Sequence, residues 1–322
     1  MQKSTMFSTI LQSIMTKDEV LPFVKQLGYN DTARKFTVYD LFMFLAQSAL
    51  QQWDGYRDGE KRMHTTGLAP IHYSTISKKA KEVPFELFKQ LLHLMISKCN
   101  RPTRRNLRIP KQLLIADSTK ITVGMGRLPW APLKGERAGI KLHVSLVADE
   151  GCLHQVTETT GNCPDLLSCA DIRGKHFILV ADRAYGKHKL FDDTWSKNSS
   201  LSSGSGTTRT GNPVILATNL HKPSAEAIAE MYKKRWQIEV FFRWIKQHLN
   251  VLTRFGTTPN AVFGQLYTAL LVYVILKFLF DQGNALVHQS AKLTFAEFDR
   301  LFSLNNLPTE WTVYLTSKFT LP

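Results

Sequence analysis

Large apolar residues follow two different rhythms along the chain, and the change falls near the end of its first third. In Phe36-Thr-Val-Tyr-Asp-Leu-Phe-Met-Phe-Leu-Ala46 they are too many and too continuous for a surface strand, and Asp40 suits the first turn of a helix. Ser74-Thr-Ile-Ser-Lys-Lys-Ala-Lys81 begins on Ser or Thr caps, and its helical pattern continues through Phe85, Leu87, Phe88, Leu91, Leu92 and Met95, divided or kinked at Pro84. Residues 1–100 thus read as an all-helical N-terminal domain. After Lys111 the pattern becomes that of strands. Leu113-Leu-Ile-Ala116 and Phe177-Ile-Leu-Val-Ala181 are continuous apolar runs, each ending in an aspartate, as in strands buried on both faces. Ile140, Leu142, Val144 and Leu146 alternate with polar residues and predict a half-buried strand, and Val214–Thr218 is a fourth candidate. Helical patterns from Ser224 to Leu249 and from Ala261 to Phe280 follow. Strands first and then helices predict an α/β fold, a mixed sheet with helices on its faces.

The stretches between these elements add boundaries. Arg101-Pro-Thr-Arg-Arg-Asn-Leu-Arg-Ile-Pro-Lys111 carries Arg101, Arg104, Arg105, Arg108 and Lys111, no acid and two prolines. It reads as a basic linker that tracks phosphates, or as a solvated loop without a partner. The short basic helix behind Thr66-Gly67 is compatible with a helix-turn-helix reader and equally with an ordinary solvated face. Between Lys197 and Asn212 the composition collapses to Ser, Gly, Thr and Asn apart from Lys197, Leu201 and Arg209, and Ser202–Gly206 resembles a flexible linker.

Composition narrows the partner. The 322 residues hold 41 Lys plus Arg against 26 Asp plus Glu, a formal charge of +15, and 43% are hydrophobic. A folded chain this basic favours a polyanion, nucleic acid above all, over the bland alternative of a merely basic protein. Cys99, Cys152, Cys163 and Cys169 show no C-x-x-C spacing, which supports neither a disulfide scaffold nor a zinc module and fits a reducing compartment. Met1–Met15 lacks a secretory apolar core, and Leu266–Leu276 is shorter than the ~20 residues a bilayer takes. The expected protein is cytoplasmic, with no membrane partner.

Three carboxylates supply candidate chemistry. Asp117 and Asp182 end apolar strands, where an open α/β sheet delivers side chains to ligands, although an aspartate there also commonly caps a turn. Tyr232, Arg235, Glu239 and Lys246 fall within about 60° on one helix face, while Val240, Phe241, Trp244 and Ile245 point elsewhere. A solvated charged face produces such a stripe too. With the two aspartates, however, three carboxylates on separate elements suit two Mg²⁺ or Mn²⁺ ions, which about 3.5–4 Å apart serve phosphoryl transfer.

The spacing Tyr232-x2-Arg235-x3-Glu239-x6-Lys246 resembles the signature of the insertion-sequence-four group of bacterial DDE transposases. Asp117-Ser-Thr and Asp182-Arg-Ala-Tyr185 resemble that family's two aspartate motifs, and Arg34–Phe42 its N-terminal helical segment, so the resemblance runs from about Lys3 to Phe280. It implies a ribonuclease-H-like catalytic domain over 112–322, with C-terminal helices, behind a DNA-binding domain at 1–100 and the linker at 101–111. Asp117, Asp182 and Glu239 would bind two Mg²⁺ (or Mn²⁺) ions; Tyr232, Arg235 and Lys246 would hold DNA phosphates. Such enzymes cleave the 3′ ends of an element and join them to target DNA, as a homodimer on paired ends of double-stranded DNA, and the setting implied is a bacterial nucleoid. Members commonly carry a larger β-rich insertion between the second Asp and the Glu. Here Arg183–Ile238 is short, with the Ser/Gly-rich stretch at about 197–212 in its place. A nuclease that cuts without joining, and a DNA-binding relic or shortened form, are the alternatives.

Overall fold

The computed structural model describes residues 6–106, 112–133, 135–148, 151–163, 177–181, 202–207, 213–218, 223–248 and 256–319. These divide into two compact units. The first comprises residues 1–106, 123–130 and 244–322, the second 107–122 and 131–243. The C-terminal helices, expected with the catalytic domain, belong to the first unit.

The first unit is helical. It contains α1 (Met6–Ile14), α2 (Lys17–Gln26), α3 (Val38–Leu50), α4 (Tyr56–Arg62), α5 (Tyr73–Glu82) and α6 (Phe85–Asn106). Thr37 caps α3 by accepting from the Asp40 amide, and the Asp40 carboxylate accepts in turn from the Thr37 amide at 2.7 Å. That reciprocal box fixes the helix start where the sequence placed it. Nearly every side chain of α3 is buried. Gly59 of α4 lies so close that a Cβ there would stand 2.3 Å from the Phe44 ring. Only a residue without a side chain allows this approach. Pro84 separates α5 from α6. Pro102, by contrast, does not end α6: a helix anchored by buried Leu87, Phe88, Leu91, Leu92 and Met95 continues to Asn106. Arg101, Arg104 and Arg105 are therefore helical, not part of an irregular linker; Arg108 and Lys111 lie outside the described residues.

A long apolar helix, α9 (Pro259–Leu286), crosses this unit. Thr258 caps it by accepting from the Ala261 amide, with Pro259 at its first position. Its apolar length exceeds the run seen in sequence, and by length and composition it could cross a membrane. Its most apolar window is 89% buried, however, against neighbours that include α3, α5 and α6, so the core accounts for its composition. Phe263 packs on Phe85 (ring centroids 5.0 Å apart), and Phe280 meets Phe298 and Trp311 from the last two helices, α10 (Phe295–Ser303) and α11 (Thr309–Phe319).

The second unit is built on a four-stranded sheet of β1 (Gln112–Gly124), β2 (Arg137–Val147), β3 (Cys152–Thr160) and β4 (Phe177–Ala181), in the order β3-β2-β1-β4. β1 and β4 run parallel and β2 and β3 antiparallel, so the sheet is mixed, as the pattern of elements predicted. β2 departs from its expected half-burial: Lys141, His143 and Ser145 are buried as well as the apolar set. Covering that face is tolerable because Lys141 Nζ donates to the Cys163 carbonyl at 2.6 Å and His143 Nε2 lies 2.9 Å from Thr159 Oγ1. A separate antiparallel pair joins β5 (Ser202–Thr207) to β6 (Pro213–Thr218). The Ser/Gly-rich stretch was expected to lack order, yet its middle is a strand. Ladder hydrogen bonds to the apolar Val214–Ala217 partner order a segment whose own side chains offer little burial. Two short helices then carry the charged stripe, α7 (Ala225–Lys233) and α8 (Trp236–His248).

Candidate active site

The parallel register of β1 and β4 pairs the residues just ahead of two aspartates in the sequence. Ala116 faces Ala181, so each aspartate follows directly on a paired alanine. Asp117 is not at the end of β1, as expected; the strand runs on to Gly124. Its partner strand β4 is described only as far as Ala181, and Asp182 lies outside the described residues. Asp117 is half-buried. Its Oδ1 accepts from the Ser118 amide at 2.7 Å, and its Oδ2 faces Arg235.

Glu239 comes from α8. Ile238, Phe241, Phe242 and Ile245, spaced one, three and four residues apart, are buried and fix the rotation of this helix. Val240 falls about 200° from Ile238 and is 48% exposed, so it does not pack with the apolar face as its type suggests. The single helix predicted from Ser224 to Leu249 is broken at Lys234–Arg235. There the bonds tighten to i→i+3, from the Arg235 amide to the Tyr232 carbonyl and from the Ile238 amide to the Arg235 carbonyl. Arg235 sits in this turn and reaches forward.

The result is a compact charged group within the second unit. Arg235 Nη2 is 2.5 Å from Glu239 Oε1, and Nη1 is 3.6 Å from Asp117 Oδ2. The guanidinium carbon also stands 5.7 Å from the centroid of the Tyr232 ring. Side-chain exposures of 20% for Arg235, 19% for Asp117 and 32% for Glu239 leave the cluster reachable yet shielded from full solvent screening. The structure thus brings together Asp117, Tyr232, Arg235 and Glu239. Lys246 is exposed two turns beyond Glu239 on α8, and Lys233 pairs with Glu230. The side chains of Arg101, Arg104 and Arg105 are not among those described. Among the described residues no three His, Cys, Asp or Glu side chains form a metal cluster, and the third carboxylate expected here, Asp182, is not one of them.

Trp236, next to Arg235, went unnoticed in the sequence. It is 57% exposed. An aromatic in an otherwise regular apolar pattern gives no warning that it faces solvent.

Comparison with known proteins identifies the class. The family described as Transposase DDE domain matches residues 108–275, a span that holds Asp117, Asp182 and Glu239. This chain belongs to the DDE transposases, enzymes that cleave and join DNA. A curated relative from Geobacillus stearothermophilus, described as "Probable transposase for insertion sequence element IS5377", is 40% identical over 97% of this chain and 94% of its own length. Among solved structures, a piggyBac transposase synaptic complex with hairpin DNA covers 99% of this chain and 86% of its own, at 11% identity and a TM-score of 0.46.

Proposed function

We propose that the chain is an insertion-sequence transposase of the Tyr-Arg-Glu-Lys type, which cleaves the 3′ ends of its element and joins them to target DNA in a ribonuclease-H-like core. The observation that carries the reading is the meeting of Asp117 and Glu239 on one guanidinium, from two elements 122 residues apart in sequence. The strand order β3-β2-β1-β4, with β1 and β4 parallel, supports the ribonuclease-H-like assignment.

The donor set fits a hard divalent cation. Asp117 and Glu239 meet on Arg235 and offer carboxylate oxygens, the hard donors such an ion takes. Asp117 and Glu239, with Asp182, would hold Mg²⁺ or Mn²⁺. A bound pair of such ions supplies activation of the attacking oxygen and stabilisation of the leaving oxygen. The side chains around them do the positioning. The Ser118 amide orients the Asp117 carboxylate, and the buried Ile238, Phe241 and Ile245 hold α8 so that Glu239 faces it. Arg235 and Lys246 bind backbone phosphates of the element end, and Tyr232 steadies the guanidinium through its ring face. The helical N-terminal residues 1–100 and the basic run at 101–111 bind DNA flanking the reacting end. The enzyme works in the bacterial cytoplasm on the nucleoid, as a homodimer on paired ends.

The test uses the element's own ends and a target duplex with Mg²⁺. Wild type nicks to expose a 3′ hydroxyl and joins it to target. Glu239→Gln loses both steps while duplex binding, measured separately, persists, because a carboxylate and not a phosphate contact has been removed. Cleavage and joining at the normal rate in that variant would remove Glu239 from the site.

A further inference from the structure

Arg235 is asked to do two things at once. The reading above gives it a DNA phosphate, yet its guanidinium lies against Glu239 Oε1 and faces Asp117 Oδ2, the oxygens a divalent cation would take. A cation on those oxygens would sit within a few ångströms of the guanidinium, and like charges at such range, in a partly shielded site, repel strongly. The guanidinium also has somewhere to rest that does not depend on the carboxylates: the face of the Tyr232 ring, 5.7 Å away. Arg235 sits in the tightened turn between α7 and α8 and not inside a regular helix.

We propose that Arg235 is an exchangeable counter-ion, which neutralises Asp117 and Glu239 until divalent cations displace it, and so sets the metal affinity of the site. The inference rests on Asp117 and Glu239 being metal ligands. It makes Arg235 a competitor of the cation as well as a phosphate contact. Displacement turns the fork of N–H donors outward when the cations arrive, so the same event that completes the site frees the group that grips DNA. The cost is that cation binding is weaker than the carboxylates alone would give.

Mn²⁺ is titrated into the full-length protein, without DNA, and the free-ion EPR signal is followed for wild type, Arg235→Gln, Arg235→Lys and Glu239→Gln. Thermal melts in EDTA show that each variant is folded. Arg235→Gln is expected to bind Mn²⁺ about tenfold more tightly than wild type, because a competing positive charge is gone, and to melt lower in EDTA, because two carboxylates have lost their partner. Arg235→Lys, whose single ammonium cannot span both carboxylates, falls between them. Equal Mn²⁺ affinity in wild type and Arg235→Gln overturns the proposal, as does weaker binding in Arg235→Gln. Equal affinity in wild type and Glu239→Gln overturns the metal-ligand reading on which it rests, a result the first comparison alone does not produce.

Discussion

Two ion pairs of this protein show how the same chemistry serves different ends. Asp31 is held by the Lys79 ammonium and by the Val38 and Ala33 amides, with side-chain exposures of only 12% and 8% for the pair. Burial raises the Asp31 carboxyl, but Lys79 and the Val38 amide outweigh it and hold it below its usual 3.8. A depressed carboxylate contributes stability that is present above its unfolded value and lost as pH falls through the folded one. Asp31→Asn should therefore cost about 1–3 kcal/mol at pH 7. The gap to wild type should narrow in urea melts as pH falls below the usual 3.8; a gap that stays constant with pH would place the effect in packing instead. At the site the pair is less enclosed, and the role proposed for its guanidinium is recognition of phosphate. Arg235 offers a planar fork, and Lys in its place keeps the charge but loses bidentate geometry. Arg235→Lys should lower end cleavage about ten- to hundredfold, the worth of ~1.5–3 kcal/mol of charge-assisted bonding. Cleavage at the wild-type rate in a gel assay would show that the planar fork is not needed at this position.

The elements of the helical unit were legible where local rules govern them. Asp40 at the third position of α3 marks its box, and Pro84 marks the α5–α6 break. They were misread where a neighbour decides. Pro102 does not stop a helix that buried leucines already hold, and Ser202–Thr207 becomes a strand only because Pro213–Thr218 lies beside it. The charged stripe on 225–248 is two helices joined by a tight turn, a feature with no Pro or Gly to announce it. Close approach is likewise invisible in sequence. Gly59 reads as a weak point in α4, yet an added Cβ would meet Phe44 Cζ at 2.3 Å and Trp53 Cε3 at 3.0 Å. Gly59→Ala should improve helix propensity by up to ~1 kcal/mol and still destabilise by about 1–2 kcal/mol net, since overpacking costs more than propensity returns. A melting temperature raised by this change would show that α3 and α4 have room to separate.

At the scale of the whole molecule, the charge of +15 and the DDE transposase family point to the same partner, DNA. Binding to duplex should weaken steeply with salt, by roughly 0.9 in log-log slope per phosphate neutralised. Arg105→Ala should lower that slope by about 1 and weaken all duplexes alike, which anisotropy titrations at several salt concentrations would read. Lys233 should matter less, because Glu230 already partners it. A slope unchanged in the Arg105 variant would take the basic run out of the interface.

Sequence by itself determined the kind of element wherever an apolar rhythm is strong, the break from helices to strands, the excess of positive charge, and the residue types Asp117, Tyr232, Arg235 and Glu239 at their spacing. These follow from period, caps and ionisable groups, all of which are local. Only the tertiary structure decided that Asp117 lies within a long strand, that Lys141 and His143 are buried, that Trp236 and Val240 face solvent, and that one guanidinium holds two distant carboxylates. Burial and ion pairing depend on what another part of the chain places alongside, and no window of sequence contains both partners.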